Sequence, residues 1–252
     1  MDVFDNQNDL IAAVAAAKKA DKRIGFVPTM GALHDGHLSL VNMGRREADF
    51  VVVSIFVNPT QFAPDEDFEA YPRDTERDIS ILEGAKVDCA YLPSVDEIYP
   101  NGVASNLQAG EAAKGLESEF RPHFFDGVCS VVHRLFEIVQ PDVAIFGKKD
   151  YQQLMVVREM VKAQRLDIEI LGAPIVRDVH GLALSSRNAY LSDAELKVAR
   201  RLNLILKHDR PTPNAILKAG FDKVDYIEER WGRRLCAAWI GKTRLIDNVP
   251  AS

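Results

Sequence analysis

Phe50-Val51-Val52-Val53-Ser54-Ile55-Phe56-Val57 is an unbroken run of β-branched and aromatic residues interrupted by one small hydroxyl. A strand with one wet face alternates apolar and polar residues, so a continuous run predicts a strand covered on both faces. That is the condition of a parallel sheet clad with helices, and the flanking sequence repeats the pattern. Upstream, residues 8–19 have the spacing of an Ala-rich amphipathic helix. Residues 23–27 read as a short strand stopped by Pro28, and 36–47 as a helix. Downstream, Asp74 can cap a helix to residue 83, with Gly84 suited to its end. Residues 87–92 read as a strand. A helix from 126 or 127 to 139 follows, with Val128, Val131, Val132, Leu135 and Ile138 on one face. Then come a strand at 143–146, a helix at 150–164 and a strand at 168–171.

Strands alternating with helices of this length predict βαβ units with right-handed crossovers. Residues 1–175 are therefore expected to form a Rossmann-like, doubly wound parallel sheet. After Pro174 the texture changes. A long polar loop of little periodicity leads to Ser192 or Asp193, which can cap a helix to 208. Pro211 and Pro213 break it; a short helix at 214–219 and strands at 224–228, 235–240 and 243–246 follow, the last two joined at Gly241-Lys242. Residues 176–252 are expected to be a smaller α+β domain, and the whole chain is of the α/β class.

The 252 residues, 47% hydrophobic and 27% charged, suffice for a core without disulfides or metals. A net charge of −6 disfavours a general nucleic-acid binder. Cys89, Cys129 and Cys236 are scattered and form no C-x-x-C pair, which points to a reducing compartment. The first residues carry acids where a signal peptide needs bases, and no run of 18 apolar residues occurs. The expectation is a cytoplasmic enzyme without a membrane span.

The chemistry concentrates at strand ends. Pro28-Thr29-Met30-Gly31-Ala32-Leu33-His34-Asp35-Gly36-His37 joins a strand to a helix. Ligands of open α/β sheets bind beyond the carboxyl ends of the strands, and a helix N-terminus suits phosphate. Two imidazoles three residues apart could donate to oxygens gaining charge as phosphorus is attacked. The same string also fits a plain connection with two surface histidines, or a metal pair. Asn58-Pro59-Thr60-Gln61-Phe62 ends the next strand with amides that can hold hydroxyls and carboxylates; it also fits a polar turn. Phe146-Gly147-Lys148-Lys149-Asp150-Tyr151-Gln152-Gln153 offers an ammonium for phosphate and a carboxylate for a ribose hydroxyl, or a capped helix with solvated lysines. Ser185-Ser186-Arg187-Asn188, with Arg177 upstream, could close on a polyphosphate or be a flexible loop.

Taken in order, PTMGALHDGH, FVNPTQF, the YPR at 71–73, IVQPDVAIFGKKDYQQL and SSRN resemble the pantothenate synthetase (pantoate–β-alanine ligase) family of the HIGH-motif nucleotidyltransferase superfamily. The resemblance implies ATP-dependent condensation of pantoate with β-alanine through a pantoyl-adenylate, releasing AMP and pyrophosphate. It assigns Met30, Gly31, Ala32, Leu33, His34, Asp35, Gly36 and His37 to ATP, with the two histidines on the α-phosphate. It assigns Gly147, Lys148, Lys149 and Asp150 to nucleoside and phosphates, and Val176 to the adenine. Ser185 and Arg187 fall to the outer phosphates, Leu184 and Ser186 to the ATP site with them, and Asn58, Gln61 and Gln153 to pantoate. It further implies magnesium on the phosphates and a homodimer.

The chain departs from the family pattern at several places. Arg121-Pro122-His123-Phe124-Phe125 stands for R-P-G-H-F, Lys148 stands where Glu or Gln is common, and Leu184 replaces a usual Met. The stretches 208–213 and beyond 228 look short for the family.

Overall fold

The computed structural model describes residues 1–62, 68–105 and 107–251. These form two compact units. The first holds Met1–Leu33, His37–Gly147 and Gln152–Ala173; the second holds His34–Gly36, Lys148–Tyr151 and the chain from Pro174 on.

In the first unit, strands β1 (Asp2–Phe4), β2 (Ile24–Thr29), β3 (Phe50–Ile55), β4 (Cys89–Tyr91), β5 (Val143–Gly147) and β6 (Glu169–Ala173) make one sheet. The order is β1-β4-β3-β2-β5-β6 and every pairing is parallel. The helices are α1 (Gln7–Lys19), α2 (Asp35–Glu47), α3 (Thr75–Gly84), α4 (Val95–Ile98), α5 (Glu117–Phe120), α6 (Phe124–Val139) and α7 (Tyr151–Ala163). One face of the sheet buries Val27, Val51, Val53, Ala90, Val143 and Ile145 under Leu40 and Val41 of α2 and Leu82 of α3. On the other, Phe136 of α6 meets Phe26 and Phe146 edge-on, with centroids 6.2 and 6.4 Å away. Both faces are thus covered, as the apolar run at 50–57 requires, and the α/β class with a doubly wound sheet holds.

Several boundaries differ from the sequence reading. β2 runs through Pro28 to Thr29 rather than stopping before it. Its pairing with β5 covers only Gly25 and Phe26, so the proline, which has no N–H to give, falls beyond that ladder. β3 ends at Ile55, two residues early, and β4 is half the expected length. β1 was not expected; three residues pair in parallel with β4 at the sheet edge, too few for an alternation to be seen. α6 starts at Phe124 because His123 takes a left-handed conformation, φ 67°, which ends the preceding segment and admits the helix.

The second unit carries α8 (Asp193–Ala199), α9 (Arg201–Leu206) and α10 (Pro213–Lys218) against an antiparallel sheet of β7 (Lys223–Arg230), β8 (Arg233–Ile240) and β9 (Thr243–Pro250). Ser192 opens α8 with a full capping box to Glu195. The single helix expected to residue 208 is two helices meeting at Arg200. Buried Arg234 closes α9, donating to the carbonyls of Leu206, His208 and Asp209 at 2.7, 2.6 and 3.2 Å. A cation at a helix C-terminus meets carbonyls with no helical partner, so the short link to α10 is held without added chain.

Asp225 of β7 is the ionic knot of this sheet. Its carboxylate accepts from Trp239 Nε1 at 2.9 Å and Arg244 Nε at 2.8 Å, with Lys223 Nζ 2.8 Å away. Burial pushes its carboxyl up, but the donors from Lys223, Arg244 and Trp239 outweigh burial and hold it below the usual carboxylate range. A depressed folded-state value stabilises above the unfolded value, about 4, and that contribution is lost as pH falls through the folded one. Asp225→Asn should therefore melt below wild type at neutral pH, and the gap should narrow below about pH 4. Thermal melts across pH 3–7 read this, and a gap independent of pH would remove Asp225 from the account.

Candidate active site

The sheet changes direction at β2, flanked by β3 on one side and β5 on the other. Such a switch point opens a crevice beyond the strands' carboxyl ends, where α/β proteins bind ligands. The loops leaving β2, β3 and β5 carry three of the four candidate segments.

Beyond β2 the chain turns sharply. Gly31 has φ 79° and Ala32 φ 49°. The N–H groups of Ala32 and Leu33 each donate to the buried carboxylate of Asp78, in α3, at 2.8 Å. Arg77 Nη1 donates to the Leu33 carbonyl at 3.3 Å. A Cβ at Gly31 would stand 2.9 Å from that carboxylate, so the turn needs glycine twice over. Leu33 is a core residue, and its N–H is spent on Asp78 rather than offered to a ligand. Asp78 escaped the sequence reading. Its signal was a charge four residues before Leu82 on the buried face of α3.

His34–Gly36 belong to the second unit. The Gly36 N–H donates to His34 Nδ1 at 3.0 Å. With Nδ1 accepting, the neutral ring carries its hydrogen on Nε2, which becomes its donor nitrogen. A Cβ at Gly36 would lie 3.8 Å from the Leu184 Cβ, so Gly36 stands against Leu184. His37 stands half-buried in the first turn of α2.

Beyond β3, the Asn58 side chain is buried. Its Oδ1 accepts from the Thr60 N–H, Thr60 Oγ1 and Tyr99 Oη at 3.3, 3.0 and 2.7 Å, and its Nδ2 donates to the Gly127 carbonyl at 3.3 Å. This amide faces inward and shapes the Pro59–Gln61 turn. The turn presses on α6 so closely that a Cβ at Gly127 would collide with the Thr60 carbonyl. Gln61 is half-buried, and its backbone carbonyl accepts from Arg121 Nη2 at 2.9 Å. The Arg121 guanidinium lies 3.8 Å from the centroid of the Phe124 ring. The R-P-G-H-F departure thereby gains a physical reading. His123 occupies a left-handed position that favours glycine, and Phe124 gives Arg121 an aromatic face.

Beyond β5, Lys148–Asp150 forms a single tight turn into α7. Lys149 Nζ is 3.6 Å from Asp150 Oδ1 and half-buried. Of the two glutamines, Gln152 is buried and holds the Glu117 N–H and the carbonyls of Ala112, Ala113 and Gly115, whereas Gln153 is half-buried.

The fourth segment, in the second unit, is an anchored hairpin rather than an unstructured loop. Arg177 pairs with Ala183, and the Leu184 N–H donates to the Val176 carbonyl at 3.0 Å. Asp178 accepts from the N–H groups of His180 and Leu182 and from Arg200 Nε, at 2.9, 2.8 and 2.8 Å. Arg177 forks onto the Asp247 carboxylate at 2.7 and 2.8 Å and so braces the hairpin. Ser185 Oγ accepts from the Arg187 N–H at 3.3 Å and starts the turn Ser186–Tyr190, and Asn188 Nδ2 donates to the Ala183 carbonyl at 3.0 Å.

Nucleophilic thiol chemistry finds no support, since all three cysteines are free and buried and burial pushes each thiol up to about 12. Among the described residues no group of three His, Cys, Asp or Glu side chains could hold a metal. No helix there is long and apolar enough to cross a membrane.

The family model for pantoate-beta-alanine ligase matches residues 2–250. A pantothenate synthetase of Mesorhizobium japonicum is 50% identical over 274 aligned positions covering 98% of this chain and 97% of that protein. One from Hydrogenovibrio crunogenus is 44% identical over 282 positions, with all of both chains covered. That alignment exceeds the 252 residues present here, so the relative carries residues without a counterpart in this chain. Among solved structures, pantothenate synthetase from Thermus thermophilus superposes with a TM-score of 0.89 at 42% identity, covering 100% of this chain and 99% of that one. A pantoate-beta-alanine ligase from Francisella tularensis, complexed with beta-gamma ATP and beta-alanine, gives 0.93 at 39%, covering 100% and 98%.

Asp78→Ala removes the acceptor of the buried Leu33 N–H, at about 1–3 kcal/mol, and the bond that Asp78 makes to the half-buried Ala32 N–H. The variant should lose several degrees of melting temperature and most ligase activity, while Asp74→Ala, which removes only an exposed helix cap, should lose far less activity. Equal activity losses in the two would detach Asp78 from the loop it holds.

Proposed function

The chain belongs to the pantoate–β-alanine ligase family, and from that premise we propose that it condenses pantoate with β-alanine in two steps through a pantoyl-adenylate. The pantoate carboxylate attacks the α-phosphorus of ATP and the bond to pyrophosphate breaks. The neutral amine of β-alanine then attacks the acyl carbon, AMP leaves with the bonding pair, and the nitrogen sheds a proton. A carboxylate is a poor electrophile, and AMP is a far better leaving group than oxide, which is the reason for the first step.

The observation that carries this reading is the make-up of the second unit. His34–Gly36, Lys148–Tyr151 and the Leu184–Arg187 turn, far apart in sequence, cluster in one compact body, with Gly36 against Leu184. Imidazole, ammonium, hydroxyl and guanidinium donors gathered in this way suit a triphosphate. In the proposed assignment His34 and His37 donate to α-phosphate oxygens, with His37 the proton donor. Lys149, Ser185 and Arg187 hold the outer phosphates, with Lys148, Leu184 and Ser186 beside them. Gly147 and Asp150 meet the nucleoside and Val176 the adenine. Met30, Gly31, Ala32, Leu33, Asp35 and Gly36 shape the loop. Gln61 and Gln153 bind pantoate, and Asn58 acts from inside by fixing the turn that carries Gln61. Magnesium, in this reading, is held by phosphate oxygens and water, and would neutralise charge on the departing pyrophosphate. A cytoplasmic homodimer completes the proposal.

AMP release should require ATP, pantoate and β-alanine together, while pyrophosphate should appear with ATP and pantoate alone; pyrophosphate release indifferent to pantoate would end the reading. His37→Ala should lower kcat by about 100-fold or more with the melting temperature unchanged. Turnover within about threefold of wild type would strike His37 from the transition state. Gln61→Ala should raise the pantoate KM well above its effect on the ATP KM, and a pantoate KM equal to wild type would take Gln61 out of the pocket.

A further inference from the structure

One side chain holds the two peptide groups that flank Lys149. Asn248, in β9, is 1% exposed. Its Nδ2 donates to the carbonyl of Lys148 and to that of Lys149, both at 2.9 Å. Its Oδ1 accepts from Arg233 Nε, in β8. Its own backbone N–H donates to Asp247 at 2.7 Å, and its carbonyl accepts from Arg177 at 3.2 Å. Turning this amide over would set Nδ2 against an arginine N–H and Oδ1 against two carbonyl oxygens, so its orientation is fixed by charge. The same arginine lies 5.0 Å from the centroid of Tyr151, whose ring stands 6.4 Å from that of Trp231 at the β7–β8 turn. The three-residue turn that carries Lys149 is thus gripped from the small sheet at its carbonyls and at the residue that follows it.

We propose that Asn248 is the positioning residue for Lys149. Lysine is a point charge on a flexible stem, so where its ammonium can reach is set by the backbone that launches it. A three-residue turn has one internal hydrogen bond at most and does not define that direction unaided. Asn248 supplies two bonds from a rigid antiparallel sheet. Through Asp247 and Arg177 the same sheet braces the hairpin that ends in Ser185 and Arg187, so the two phosphate-facing segments share one support. This inference rests on the reading of Lys149 as a phosphate ligand.

The test is a double-mutant cycle in steady-state kinetics, with ATP varied at saturating pantoate and β-alanine. Asn248→Ala should raise the ATP KM about tenfold or more, with the pantoate KM unmoved. Lys149→Ala should raise the ATP KM further, and the double variant should match Lys149→Ala alone within about twofold. Independent, multiplying effects would overturn the positioning role while leaving Lys149 as a ligand. An unchanged ATP KM in Lys149→Ala would instead defeat the reading of Lys149, and the inference with it. Should Asn248→Ala fail to fold by circular dichroism, Asn248→Asp keeps the shape and the contact to Arg233 but removes both donors. It should give the same ATP-specific rise and the same non-additivity; a wild-type ATP KM in that variant would overturn the inference.

Discussion

The carboxylate of Asp78 is the point at which the sheet, its helices and the motif loop are tied together. The chain leaves β2 at the switch point of the sheet and must turn within four residues, which points two consecutive N–H groups back into the protein. Leu33 is buried and Ala32 half-buried, and a buried N–H left without its acceptor costs about 1–3 kcal/mol, a sizeable part of a domain's net stability. One carboxylate on the buried face of α3 satisfies both. A glycine with φ 79° is needed to bring the backbone that near, and the apolar Leu33 follows as the plug that seats the turn.

The second unit solves the corresponding problem with the Arg177–Asp247 fork. An exposed ion pair contributes little, but this one is mostly buried and bidentate, and its arginine also donates to two carbonyls. It converts a stretch with no periodicity into an anchored hairpin. Asn248, adjacent in β9, extends the support to the Lys148–Asp150 turn. Segments distant in sequence are therefore held by neighbours in one strand, a more economical arrangement than bracing each loop separately.

The doubly wound sheet was legible because burial on both faces leaves a composition signal, as in residues 50–57, that local propensity alone does not. What stayed hidden was short or non-local. The three residues of β1 give no period to detect, and Pro28 reads as a stop unless one knows that the β5 ladder ends at Phe26. The break at Arg200 leaves no mark in the sequence that we can identify. In the candidate site, residue types were readable while their direction was not. Asn58 carries the same amide as Gln61, yet one is consumed by Thr60, Tyr99 and Gly127 and the other is half-buried. Only the fold decides which amide points inward.

The adjacent glutamines sharpen this distinction. Gln152 shares a helix face with Val156 and Met160, all buried, and spends its side chain on four backbone groups of the 112–117 segment. Gln153 is turned about 100° around the helix axis from it and is half-buried. Helix phase, read against the apolar residues of α7, could have separated the two from sequence alone, because a polar side chain in phase with a buried stripe must find protein partners. The same reasoning applies to Asp78, in phase with Leu82 on α3. A polar residue among apolar ones at helical spacing thus marks the scaffold beneath a site, and the polar residue one step out of phase marks the surface on which chemistry can occur.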